Sequence, residues 1–190
     1  DNARLDAIRQ LLIDTRVVVA TTSMLLSQPY VLQLKQFDVC MVDEASQIIE
    51  PAILGLLVSE RVNRFILIGD HKQLPAVVQQ PDSEPRLASC RQSLFERLLR
   101  REQASGRTAF TAVLRRQGRM HPDIADFPNT MFYRRECLEP VPCQHQLDTS
   151  LHYDLPAEDD LDRLLQQRRV LFLPSAPCRS LNTSDKVNAA

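Results

Sequence analysis

Three short apolar runs, residues 16–20 (RVVVA), 37–42 (FDVCMV) and 64–68 (RFILI), each stop abruptly at polar residues. The polar ends are Thr21, Thr22 and Ser23 after the first run, Asp43 and Glu44 after the second, and Gly69 and Asp70 after the third. Runs this short and rich in β-branched residues have strand length, and they lack the period-two alternation of a sheet with one wet face. The stretches between them are long enough for the crossover that parallel strands require. Leu5, Ile8, Leu11 and Leu12 share one helix face, and residues 47–58 read as a second helix with Pro51 in its first turn. The pattern predicts an α/β fold, a parallel sheet flanked by helices. Farther along, residues 93–101 (SLFERLLRR) predict an amphipathic helix and 110–114 a strand. A helix is expected to begin near Pro122, and residues 169–173 (RVLFL) read as a last strand. Residues 136–160 hold Pro140, Pro142 and Pro156 and read as a long irregular connection, a kind that is often functional.

Composition excludes several classes. With 44% apolar and 25% charged residues, the 190-residue chain is neither disordered nor fibrous. Its longest apolar run, residues 52–58, is too short to span a bilayer, and the N-terminus lacks a signal-peptide pattern. The five cysteines form no CxxC pair. Cys137, Cys143, His145 and His152 lack the tight ligand pairs of structural zinc, so reduced thiols in a cytoplasmic or nuclear protein are expected. The four glycines and three lysines never form a Gly-Lys pair, which a phosphate-cradling Walker A loop requires. The net charge of −1 conceals an asymmetry. Residues 1–85 carry −4, residues 86–135 carry +7 through arginine alone, and residues 136–190 carry −4. Arginine suits bidentate phosphate recognition, although such runs equally form solvated helix faces.

Two adjacent carboxylates at the end of a buried strand, Asp43 and Glu44, are costly unless a cation or ordered polar groups meet them. VDEASQ (42–47) is followed by IGDHKQLPAVV (68–78) and LRRQGRMHPDIADFPNTMFY (114–133). Together these blocks resemble motifs II, III and IV of superfamily 1 helicases of the Upf-like branch. VVVATTSML (17–25) is similar to motif Ic of that branch, and SLFERL (93–98) to a segment between motifs III and IV.

The resemblance implies a P-loop NTPase (RecA-like) fold, incomplete here. Residues 1–109 would be the C-terminal part of a first RecA-like domain and 110–190 the N-terminal part of a second. It implies Asp43 as the magnesium carboxylate, Glu44 as the base for the attacking water and Gln73 as the γ-phosphate sensor. Asp70 would hold the sensor loop, and Arg119 would be the arginine finger, with Gln117 a lesser candidate at the nucleotide. Thr21, Thr22, Arg115 and Arg116 are implied against the backbone of single-stranded DNA or RNA. The two threonines equally suit a helix cap, and the two arginines equally suit a solvated edge. Phe132 and Tyr133 read as core.

The branch usually carries a stacking tyrosine where Gly118 stands. Motif I is expected upstream of these residues, and motifs V and VI downstream. The resemblance therefore implies a parent ATP-dependent helicase or translocase with ATP as substrate and no membrane partner, moving 5′ to 3′. This chain alone is expected not to hydrolyse ATP. A non-catalytic nucleic-acid clamp or scaffold is the alternative.

Overall fold

In the computed structural model the described residues are 2–77, 92–148, 151, 153 and 156–173. The chain divides into two compact units, Asp1–Ala112 and Val113–Ala190.

The first unit opens with helix α1 (Asn2–Asp14) and continues through short helices α2 (Thr22–Ser27) and α3 (Tyr30–Leu34). Lys35 Nζ donates to the carbonyls of Ile13 and Thr15, satisfying the acceptors that a helix end leaves open. Strand β1 (Cys40–Val42) then pairs in parallel with β2 (Phe65–Leu67), in the register Cys40 to Phe65, Met41 to Ile66 and Val42 to Leu67. A parallel bridge between Phe37 and Val62 extends the pairing backward. The crossover runs through a 3-10 turn (Ala45–Gln47) and helix α4 (Glu50–Leu57). Pro51 sits in the first turn of α4, where its missing N–H costs nothing. Helix α5 (Leu94–Ala104) starts at Ser93, whose hydroxyl accepts from the Glu96 amide at 3.2 Å.

Val42, Ala45, Ile53 and Leu94 form the core of this unit, with Cys40, Ile48, Leu57, Leu67 and Phe95 against them. Burial pushes the Cys40 thiol above its ordinary value, so it stays protonated. Arg97 forks Glu50 with two hydrogen bonds, at 2.7 and 2.6 Å, and ties α5 to the start of α4.

The second unit holds β3 (Arg116–Gln117), α6 (Pro122–Met131), β4 (Glu139–Pro140), α7 (Gln144–Leu147) and α8 (Asp160–Gln167). Strands β3 and β4 are parallel, with α6 as their crossover. His121 caps α6: its Nδ1 accepts from the Asp123 amide at 3.1 Å. Asn129 clasps Leu138, donating to its carbonyl at 2.9 Å and accepting from its amide at 3.2 Å.

Five local expectations are corrected. Residues 16–20 form no strand, and Val17 and Val19 are 74% and 90% exposed. A run with β propensity becomes a strand only when a neighbour takes its backbone groups, and no described residue does so here. For the same reason residues 110–114 and 169–173 form no strand, and the local ladder forms instead at Arg116 and Gln117. The connection 136–160 is not wholly irregular, since β4 and α7 lie within it. Phe132 is half exposed rather than core, in edge-to-face contact with Phe127 at 6.3 Å. Among the described residues no helix is long and apolar enough to cross a membrane.

Candidate functional site

Parallel pairing brings the ends of β1 and β2 to the same edge, where α/β proteins bind ligands. The two polar segments that follow these strands are bonded to one another. The Ala45 amide donates to the Ile68 carbonyl at 2.8 Å, and the Asp70 amide donates to Ser46 Oγ at 3.1 Å. Gly69 makes this approach possible: a Cβ there would lie 2.8 Å from the Ser46 nitrogen.

Within this junction Asp43 Oδ1 accepts from the Glu44 amide at 3.0 Å, and both side chains are exposed. Glu44 has left-handed backbone angles, φ 52° and ψ 34°, a conformation costly for a non-glycine residue and common at functional sites. Gln47 Nε2 reaches Glu44 Oε2 at 3.3 Å. Asp70 organises the second segment. Its Oδ1 accepts from the Lys72 amide at 2.9 Å, and its Oδ2 accepts from Gln73 Nε2 at 3.2 Å. Asp43, Glu44, Asp70 and Gln73 are thus gathered at one edge of one unit. Ser46 and Gly69, which join the two segments, were not foreseen. Both lie inside the quoted motif blocks, but only their mutual contact reveals the role.

Thr21 is the N-cap of α2, its hydroxyl accepting from the Met24 amide at 3.2 Å, and Thr22 is the first helical residue. Three arginines of the basic segment are already engaged by carboxylates: Arg97 with Glu50, Arg100 with Glu96 and Arg107 with Glu102.

In the second unit Arg119 sits on an exposed turn built by Gln117. Gln117 Oε1 accepts from the amides of Arg119 and Met120 at 3.0 and 2.7 Å, while its Nε2 donates to the Met120 carbonyl at 2.9 Å. The Gln117 amide is thereby engaged in the turn itself. Arg115 and Arg116 are exposed at the start of β3. Two residues of α7 that sequence reasoning passed over also meet this turn. Gln146, 2% exposed, donates from Nε2 to the carbonyls of Gln117 and Met120 at 2.9 and 2.8 Å. His145 Nε2 lies 2.6 Å from the Gly118 carbonyl. His145 thus spends its Nε2 on a carbonyl, and no cluster of three metal-ligating side chains exists among the described residues, which exclude His152.

Comparison with known proteins agrees with the motif blocks. A family model described as "AAA domain" matches residues 1–81, and a second of the same description matches residues 90–187. An uncharacterized ATP-dependent helicase of Methanocaldococcus jannaschii is 34% identical over 82% of this chain and 21% of its own length. The DNA replication ATP-dependent helicase/nuclease DNA2 of Homo sapiens is 35% identical over 96% of this chain and 17% of its own length. Its Gallus gallus counterpart is 41% identical over 66% and 12%. The chain therefore spans about a fifth or less of the relatives it matches. With both matches and the motif blocks in agreement, the chain belongs to the AAA-domain family of P-loop NTPases, in the Upf-like branch of superfamily 1 helicases.

Proposed function

We propose that this chain supplies the hydrolytic carboxylates, the phosphate sensor and the arginine finger of an ATP-dependent helicase or translocase that moves on single-stranded nucleic acid. The bonded junction of the Asp43–Glu44 and Asp70–Gln73 segments at one strand edge carries this reading. A water-activating carboxylate and a phosphate-sensing amide must report on the same phosphoryl group, so they must move as one body.

Asp43 would hold magnesium. One exposed carboxylate suits an ion that takes most of its ligands from water and substrate phosphates. When bound, the metal neutralises charge on the phosphate oxygens. Glu44 accepts the proton of the attacking water at Oε1 or Oε2, and the Gln47 amide restrains its rotation. Gln73, steadied by Asp70, offers its amide to the terminal phosphate. Arg119 stabilises charge on the transferring group. Thr21, Thr22, Arg115 and Arg116 contact the strand's phosphates, which position a nucleic acid without reading its sequence. Two of the relatives carry "DNA replication" in their names, so DNA is the strand to test first.

The experiment is ATP hydrolysis by the full-length protein, with and without single-stranded DNA or RNA. Expected are strand-stimulated hydrolysis and its loss in Glu44→Gln with ATP binding retained. A wild-type protein that binds strands at low salt without hydrolysing ATP would instead establish the scaffold reading.

A further inference from the structure

Gln146 is the most deeply buried polar side chain among the described residues. Burying an amide is costly unless its polar atoms are bonded; here both hydrogens are used, while Oε1 meets no hydrogen-bond partner among the described residues. One hydrogen goes to the Gln117 carbonyl at 2.9 Å and the other to the Met120 carbonyl at 2.8 Å. These carbonyls are the two ends of the turn that carries Arg119. The reverse amide orientation would set an oxygen against two carbonyl oxygens, so the chemistry allows only this one. Beside it, His145 Nε2 meets the Gly118 carbonyl at 2.6 Å; a carbonyl only accepts, so this nitrogen carries the hydrogen. Helix α7 therefore holds the turn at residues 117, 118 and 120.

From within, the Gln117 side chain bonds the Arg119 and Met120 backbone, and the Val141 amide donates to the Gln117 carbonyl at 2.9 Å, but none of these bonds reaches the Arg119 side chain. Gly118 and Arg119 are exposed, and a Cβ at Gly118 would meet nothing within 4 Å. A side chain on such a turn can swing by an ångström, and misplacement of that size costs about 10²-fold in rate at a reacting centre.

We propose that Gln146 is a positioning residue: by tying both ends of the 117–120 turn, it sets where Arg119 points. The inference rests on the reading of Arg119 as the group that meets the transferring phosphate. Gln146 itself touches no substrate.

The test is strand-stimulated ATP hydrolysis by the full-length protein in five forms: wild type, Arg119→Ala, Gln146→Ala, Gln146→Met and the double variant Arg119→Ala/Gln146→Met. The methionine keeps the volume and removes both donors, which guards against a collapse caused by truncation alone. Arg119→Ala is expected to lower kcat about 10³-fold. Gln146→Met should lower kcat about tenfold or more, with KM for ATP within about twofold. In the Arg119→Ala background it should lower kcat no further, because its effect passes through that arginine.

Wild-type kcat in both Gln146 variants, or losses that multiply with Arg119→Ala, would overturn the proposal while leaving the finger in place. Unfolding of both single Gln146 variants would assign the residue to the core and overturn it as well. Wild-type kcat in Arg119→Ala would remove the finger reading itself, and the proposal with it.

Discussion

Ser46 Oγ accepts a hydrogen bond from the backbone amide of Asp70 at 3.1 Å, across 24 positions of sequence. Ser46 is buried and Asp70 half-buried, so water competes with this bond only from one side. The bond makes the carboxylate segment and the sensor segment one piece, and it bears on each site residue at that edge.

Ser46→Ala should therefore cost about 1 kcal/mol, the net worth of a half-buried hydrogen bond. Gly69→Ala should cost a similar amount, since its Cβ would lie 2.8 Å from the backbone nitrogen of Ser46. Gly118→Ala, whose Cβ meets nothing within 4 Å, should change stability by less than about 0.5 kcal/mol. Denaturation midpoints of the three variants check the ranking, which an equal effect in all three would contradict.

Glu44 combines a left-handed backbone with a proposed catalytic carboxylate. Glu44→Gly relieves the strain, so it should raise stability by up to about 1 kcal/mol. The same change should lower ATP hydrolysis by at least about 10²-fold. Opposite signs in a thermal melt and a hydrolysis assay are the expected signature. A loss of stability would count against strain at this position.

The Arg97 guanidinium holds the Glu50 carboxyl below the ordinary glutamate value. A lowered folded pKa contributes stability above the unfolded value, and that contribution is lost as pH falls through the folded one. The pair is partly exposed, so Arg97→Gln should cost only about 0.2–1 kcal/mol at pH 7. The difference from wild type should fade as pH falls below the ordinary glutamate range, and shrink in high salt at neutral pH. Urea unfolding of both proteins at several pH values tests this. A difference that grows in acid would reverse the assignment.

Arg115 and Arg116 are exposed and proposed to face phosphates. Each alanine substitution should weaken binding to single strands of any sequence and reduce the salt slope by about 0.7 per lost contact. Thr21→Ala should cost about 1 kcal/mol of stability through its lost cap, and Thr21→Ser should keep the cap. If Thr21→Ser binds strands normally and Thr21→Ala does not, a hydroxyl at that position also serves the nucleic acid.

Much of the site was legible because its chemistry is local. Asp43 with Glu44, and Asp70 with Gln73, lie within four residues of each other, and the polar stop after an apolar run marks a strand end without knowledge of its neighbours. The Ser93 cap with Glu96 three residues on and the placing of Pro51 were readable for the same reason. Gln146 was not legible: it lies in a proline-rich connection, and nothing in its neighbours marks it as buried. The basic stretch misled in part, because Arg97, Arg100 and Arg107 are spent on nearby carboxylates rather than held open for a strand.

Which groups are present, and where helices begin, can be read from neighbouring residues alone. A cap, a proline in a first turn and an amphipathic face are settled within a few residues of one another. Which apolar runs became strands, and the joining of two segments by Ser46 and Gly69, depended on contacts between distant parts of the chain. Residues 16–20 carry as strong a β signal as residues 64–68, yet only the latter pair, because a strand exists through its neighbour's backbone hydrogen bonds. Contacts such as Asp70 with Ser46, or Gln146 with Met120, join residues more than twenty positions apart, and their geometry appears only once the chain has closed on itself.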